Sequence, residues 1–133
     1  MIIESEKVIV SASRETVFSY VSDMNNIINL LPQDKVSEWK STSDDCSFKV
    51  QNTAIISLVK ESVEAPSKLL MKSGEKSPFP FTLTISIVEM ENGECEGFLV
   101  FDGKVNAFLK MMVEKPLTNL FNYMSTKLKE IHA

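Results

Sequence analysis

Arginine and histidine are almost missing from the chain, which contains one of each, Arg14 and His132. Nucleic-acid surfaces need clustered basic side chains, and this chain has a net charge of -4, so we expect no nucleic-acid partner. His132 is next to the last residue, where chain ends fray. The near absence of histidine therefore argues against a Ser-His-Asp triad, a Cys-His pair and a His-rich metal site.

Cysteine is also scarce, with Cys46 and Cys95 separated by 49 positions. Two cysteines cannot form a disulfide framework for a domain of this size, so we expect both to be buried thiols. No glycine-rich phosphate-binding motif occurs, and we predict neither a cofactor nor a metal.

Long apolar runs are missing too, because no stretch approaches the roughly 18 to 20 residues that a transmembrane helix needs. The first ten residues, MIIESEKVIV, lack a basic segment followed by an apolar segment and a small-residue cleavage site. We therefore expect a cytoplasmic protein with no integral membrane association.

The composition is that of an ordinary globular domain, with 44% hydrophobic and 24% charged residues among 133. We treat residues 1–133 as one domain because no repeat or linker interrupts them. Residues 2–10 are rich in β-branched side chains and predict a strand. Residues 11–23 predict a helix capped by Ser13, and residues 24–32 predict a second short helix that ends at Pro32.

From residue 35 to residue 105 the apolar period becomes two, which predicts six strands. The clearest hairpin joins residues 81–90 to residues 95–105 through Asn92-Gly93, a dipeptide that tolerates positive φ at both positions. Alternation gives each of these two strands one apolar face, which needs to be covered. The remaining four strands are predicted at residues 35–41, 46–50, 53–64 and 67–74, with a turn at residues 51–52.

A helix predicted over residues 107–131, with Asn106 as its N-cap, can cover the apolar face of these strands. Apolar residues recur along it at steps of three and four, which predicts one continuous stripe facing the sheet. Pro116 removes an amide in the middle of the helix, so we expect a kink there, or a second helix that begins at Pro116. The stripe comprises Phe108, Met111, Met112, Leu117, Leu120, Phe121, Met124, Leu128 and Ile131.

This order of elements resembles the helix-grip superfamily, which includes START-type lipid-transfer domains, polyketide cyclases and SRPBCC-like proteins. The resemblance rests on VIVSASRETVFSYVSD at 8–23, SPFPFTLTI at 77–85 and NAFLKMMVEKPLTNLFNYMSTKL at 106–128, and covers the whole chain. It implies an α+β fold in which a curved antiparallel sheet of about seven strands grips the long C-terminal helix, with two short helices after the first strand. It also implies an apolar cavity between sheet and helix.

The residues expected to contact a ligand are the apolar side chains of the facing sheet and helix. Methionine adapts to irregular apolar volumes, so a methionine-rich wall favours a deformable contact surface, although such a stripe is also typical of a filled core. Tyr20 and Tyr123 carry hydroxyls that could hold the polar end of a ligand. The predicted ligand residues are Trp39, Met71, Phe81, Leu83, Ile85, Leu99, Phe101, Phe108, Met111, Met112, Leu120, Phe121 and Met124.

Three functions fit this pattern. The first is binding or transport of a small hydrophobic ligand, such as a lipid, an isoprenoid, a quinone or a polyketide-like molecule, without catalysis. The second is a cyclase or dehydratase-like enzyme that uses Glu61 or a tyrosine in the cavity to move a proton; Glu61 also fits a paired surface charge. The third is an accessory module with a filled core that binds another protein.

Overall fold

The computed structural model describes residues 1–51 and 54–133, and its main feature is an antiparallel sheet covered by a long helix. The turn predicted at residues 51–52 lies partly outside the described residues. The first position of the strand predicted at 53–64 lies wholly outside them. In chain order the elements are β1 (Ile2–Glu4), β2 (Val8–Val10), α1 (Arg14–Val21), a 3-10 helix (Met24–Leu30), β3 (Val36–Ser41), β4 (Asp45–Val50), β5 (Ile55–Glu64), β6 (Lys68–Ser73), β7 (Phe81–Glu89), β8 (Cys95–Gly103) and α2 (Ala107–Ile131).

The strands form one curved sheet in the order β1-β8-β7-β6-β5-β4-β3, with β2 also paired to β8. This arrangement confirms the predicted α+β architecture with two short helices after the first strand. The short helices fill the concave side: α1 contacts β6 and β7, while the 3-10 helix contacts β3, β4 and α2. The loop that follows the 3-10 helix is thereby held near the middle of α2.

The sheet has eight strands where about seven were predicted, because the first predicted strand is interrupted. Glu4 pairs with Val100 and Val8 pairs with Gly97, so the chain advances four residues on one side and only three on β8. At the interruption the Ser5 hydroxyl accepts a hydrogen bond from the Leu99 amide at 2.8 Å, and this side chain replaces a backbone partner. One extra residue in one strand of a pair is a β-bulge.

Local sequence signals predict the hairpin and both helix starts correctly. Asn92 and Gly93 have φ values of 68° and 76°, the positive values that Asn-Gly favours. The Ser13 hydroxyl accepts from the Thr16 amide, and the Asn106 side chain accepts from the Leu109 amide at 2.9 Å. Each cap satisfies an amide that has no partner within its own helix.

α2 is one continuous helix that contains Pro116, so the expectation of a second helix beginning at Pro116 is wrong. It lies antiparallel to β8, with Phe121 stacked on Phe101 and Leu128 beside Gly97. A Cβ atom at Gly97 would lie 3.0 Å from a Leu128 methyl group, so the missing side chain permits the helix to approach the strand.

Candidate functional site

Most of the predicted ligand residues pack against one another in the interior. Phe101 is 1% exposed, and its ring centroid lies 5.1 Å from that of Phe81 and 5.3 Å from that of Phe121. Phe79 adds a fourth ring, 6.3 Å from Phe101. These rings occupy the space between sheet and helix where the ligand was expected. The buried members of the predicted set are Met71, Phe81, Leu83, Ile85, Leu99, Phe101, Leu120, Phe121 and Met124.

Three other predicted ligand residues, at the start of α2, lie in solvent, so the continuous buried stripe is wrong for this part of the helix. Phe108, Met111 and Met112 are 70%, 85% and 56% exposed. Phe121 contacts Phe101, which lies two residues from the end of β8. The helix extends about 20 Å from Phe121 back to Phe108, whereas β8 continues for only about 7 Å beyond Phe101. The first turns of α2 therefore extend beyond the end of β8, and this strand leaves their apolar side uncovered.

The two remaining predicted site residues, Trp39 and Glu61, lie on strands at or near the β3 edge of the sheet. Trp39 is half-buried on the edge strand β3 and stacks on Phe48 with ring centroids 6.1 Å apart. Glu61 is exposed at a register shift in β5, and its carboxylate lies 4.0 Å from the Lys72 amine. This placement matches the paired surface charge that the sequence left open for Glu61, not a carboxylate within the interior.

An open cleft of about 580 Å³ lies between α2 and the β3–β4 end of the sheet. Its position depends on two backbone hydrogen bonds, from the Lys35 amide to the Pro32 carbonyl at 3.0 Å and from the Gln51 amide to the Lys35 carbonyl at 2.8 Å. These bonds hold the loop after the 3-10 helix against the end of β4 and leave a gap between that loop and α2. The lining residues are Pro32, Asp34, Lys35, Val50, Gln51, Lys115, Pro116, Asn119, Leu120 and Tyr123.

The cleft has an apolar floor and a polar rim. Val50 and Leu120 are buried and form apolar surface at its base, next to the half-buried Pro116. The polar lining residues include Lys35 and Lys115, both exposed, together with Asp34, Gln51, Asn119 and Tyr123. An apolar pocket with a few polar groups at fixed positions is the usual form of a small-molecule site, and its volume lies within the usual range.

Of the predicted ligand residues, Leu120 lines this cleft, and so does Tyr123, one of the two tyrosines predicted to hold a polar ligand end. Tyr20 lies elsewhere: its hydroxyl accepts a hydrogen bond from the Asn29 amide group at 2.9 Å, and its ring lies edge-on to His132. Sequence reasoning missed the other lining residues. The spacing of Pro116, Asn119, Leu120 and Tyr123 places them on one face of α2. This face mixes polar and apolar side chains, so a search for an apolar stripe does not detect it.

Within residues 1–51 and 54–133, no group of three His, Cys, Asp or Glu residues could hold a metal ion. Over the same part of the chain, no helix is long and apolar enough to cross a membrane.

Comparison with known proteins identifies the fold. No protein-family model matches the chain, and a comparison with curated proteins finds no match. Among solved structures, a START superfamily protein from Mycobacterium smegmatis is similar with a TM-score of 0.69 at 13% identity, covering 98% of both chains. The chain has the same helix-grip fold as this START superfamily protein.

Two further helix-grip structures are similar at equally low identity. A conserved protein from Geobacillus kaustophilus has a TM-score of 0.71 at 10% identity, covering 98% of this chain and 94% of the other. Norcoclaurine synthase from Thalictrum flavum, in complex with dopamine and hydroxybenzaldehyde, has a TM-score of 0.70 at 14% identity, covering 98% and 85%. Identities this low establish a common fold and no common activity.

Proposed function

We propose that the protein binds a small, mainly apolar molecule in the cleft between α2 and the β3–β4 end of the sheet. The observation that carries this proposal is the cleft itself: about 580 Å³ with Val50, Pro116 and Leu120 at its base. Four phenylalanine rings pack together under α2, and the cleft beside them is the open space against this helix, so we place the ligand in the cleft. A lipid chain, an isoprenoid, a quinone or a polyketide-like molecule fits this surface.

Affinity would come mainly from apolar ligand surface removed from water, at about 25 cal/mol per Å² before the costs of association. Tyr123 and Asn119 line the cleft, and their hydroxyl and amide groups can form hydrogen bonds with one polar end of the ligand. Norcoclaurine synthase, with the same fold, holds two small aromatic molecules in its complex, which is consistent with a binding role for the present domain.

We expect at least one apolar compound to bind and stabilise the protein in a panel of fatty acids, fatty alcohols, isoprenoid alcohols, quinones and aromatic polyketides. At a ligand concentration one hundred times Kd, binding adds about 2.7 kcal/mol, which raises the melting temperature of a domain of this size by on the order of 8 °C. Thermal denaturation and native mass spectrometry measure the two effects independently. A panel with no bound mass and no shift contradicts the proposal.

A variant with a filled cleft provides the matched control for this panel. Asn119 is exposed on the cleft wall, so Asn119→Trp places an indole ring in the cleft without entering the core. Thr126→Trp adds the same ring two turns later on α2, outside the cleft lining. We expect Asn119→Trp to weaken binding at least tenfold and Thr126→Trp to leave it within twofold.

The second candidate function is the accessory module that binds another protein. The exposed side chains of Phe108, Met111 and Met112 favour it, because exposed apolar patches commonly mark interaction sites. If this is the function, the panel gives no ligand, and Asn119→Trp behaves like Thr126→Trp.

A further inference from the structure

Two lysines face the cleft from opposite walls. Lys35 belongs to the loop before β3, and Lys115 belongs to α2. Neither makes an ion pair with a carboxylate of the described residues, although four other lysines do. Those four are Lys60, Lys72, Lys110 and Lys127.

The local charge of the cleft is opposite in sign to that of the chain. Lys35 and Lys115 contribute two positive charges and Asp34 one negative charge, which leaves +1 among the lining residues, whereas the whole chain has -4. A recess of low dielectric concentrates the field of such charges, so an anion is favoured there over a cation.

Uncharged donors and the apolar floor complete the arrangement. Gln51, Asn119 and Tyr123 also line the cleft, and each side chain can donate a hydrogen bond to an oxygen of the ligand. Val50 and Leu120 lie deeper, because their side chains are buried while both lysines are exposed. The cleft thus offers apolar contact at its base and positive charge at its opening.

We propose that the ligand is a monocarboxylate with an apolar body, which lies on Val50 and Leu120 while its carboxylate is held between Lys35 and Lys115. This inference rests on the proposed function and specifies the class of ligand. An apolar carboxylic acid is ionised at pH 7, because an ordinary carboxyl pKa is about 4. A dication would be repelled by the two amines, and a neutral hydrocarbon would gain nothing from their charge.

Decanoate and decan-1-ol are the probes for this test, because they have the same chain length and differ in the charge of the head group. We expect the protein to bind decanoate on the order of tenfold more tightly than decan-1-ol at pH 7. An exposed ion pair contributes up to about a fivefold change in affinity, so Lys35→Gln combined with Lys115→Gln should weaken decanoate binding about tenfold and leave decan-1-ol within twofold. Isothermal titration calorimetry measures all four affinities.

The control variant combines Lys68→Gln with Lys129→Gln, which removes the same charge at exposed positions outside the cleft lining. It should leave both affinities within twofold of the unmodified protein. Circular dichroism checks that each variant is folded. Unchanged decanoate binding in the Lys35/Lys115 variant, or an equal loss for both probes, overturns the proposed ligand class while the proposed function stands. If neither probe binds the unmodified protein and the panel gives no ligand, the proposed function fails.

Discussion

Replacing Phe101 by alanine should lower the free energy of unfolding by about 3 to 5 kcal/mol. Phe101 is 1% exposed and contacts the rings of Phe79, Phe81 and Phe121, so truncation removes buried apolar surface and leaves a cavity that these neighbours cannot fill. Since a domain of this size has a stability of about 5 to 15 kcal/mol, this loss is a large share of the total. Urea denaturation followed by circular dichroism measures it.

Phe108→Ala is the matched control, because it removes the same side chain from a position that is 70% exposed. Its expected effect is within about 0.5 kcal/mol. A loss below about 1 kcal/mol for Phe101→Ala would contradict the filled interior, because a phenylalanine on the wall of an open cavity has fewer contacts to lose. Equal losses for the two variants would show that α2 packs differently from the arrangement described above.

Raising the pH above 9 should destabilise the protein through Cys46. Burial of the Cys46 thiol, together with the smaller effect of the negative charge of Asp45, raises its pKa from 9.0 to about 12. Below pH 9 the thiol is protonated in both the folded and the unfolded chain. Above pH 9 the unfolded chain releases this proton while the folded chain retains it. The free energy of unfolding should therefore fall by about 1.4 kcal/mol per pH unit, or about 3 kcal/mol by pH 11.

The comparison that isolates this effect is the same pH series on Cys46→Ala. All other ionisable groups are the same in the two proteins, so the difference between the two slopes reports Cys46 alone. The variant should lose less stability than the unmodified protein between pH 9 and pH 11. Parallel profiles over this range would mean that the Cys46 thiolate forms without unfolding.

Sequence patterns predict the hairpin and α2 well because both depend on local chemistry. The alternation from Phe81 to Ile87 gives β7 one buried apolar face, and Asn92-Gly93 supplies the positive φ values of the turn. α2 spans residues 107–131 as predicted, because the Asn106 cap and the three-to-four spacing are properties of neighbouring residues.

Sequence patterns predicted less well the features that depend on distances between elements. The exposure of Phe108 and Met111 follows from how far α2 extends beyond the end of β8, and no local pattern contains that comparison. The cleft depends on the hydrogen bond from the Gln51 amide to the Lys35 carbonyl, which joins two segments 16 positions apart. Glu61 lies outside the interior because β5 buries Ile56 and Leu58, and Glu61 has the opposite strand parity.

The location of a bound ligand is the central claim, and amide chemical shifts in the protein titrated with decanoate test it most directly. We expect the largest changes in ¹H–¹⁵N spectra at the cleft, at Val50, Gln51, Asn119, Leu120 and Tyr123, and small changes at Leu83 and Leu99 in the interior. Large changes at Leu83 and Leu99 with none at the cleft would show that the ligand enters between sheet and helix, and would contradict the account.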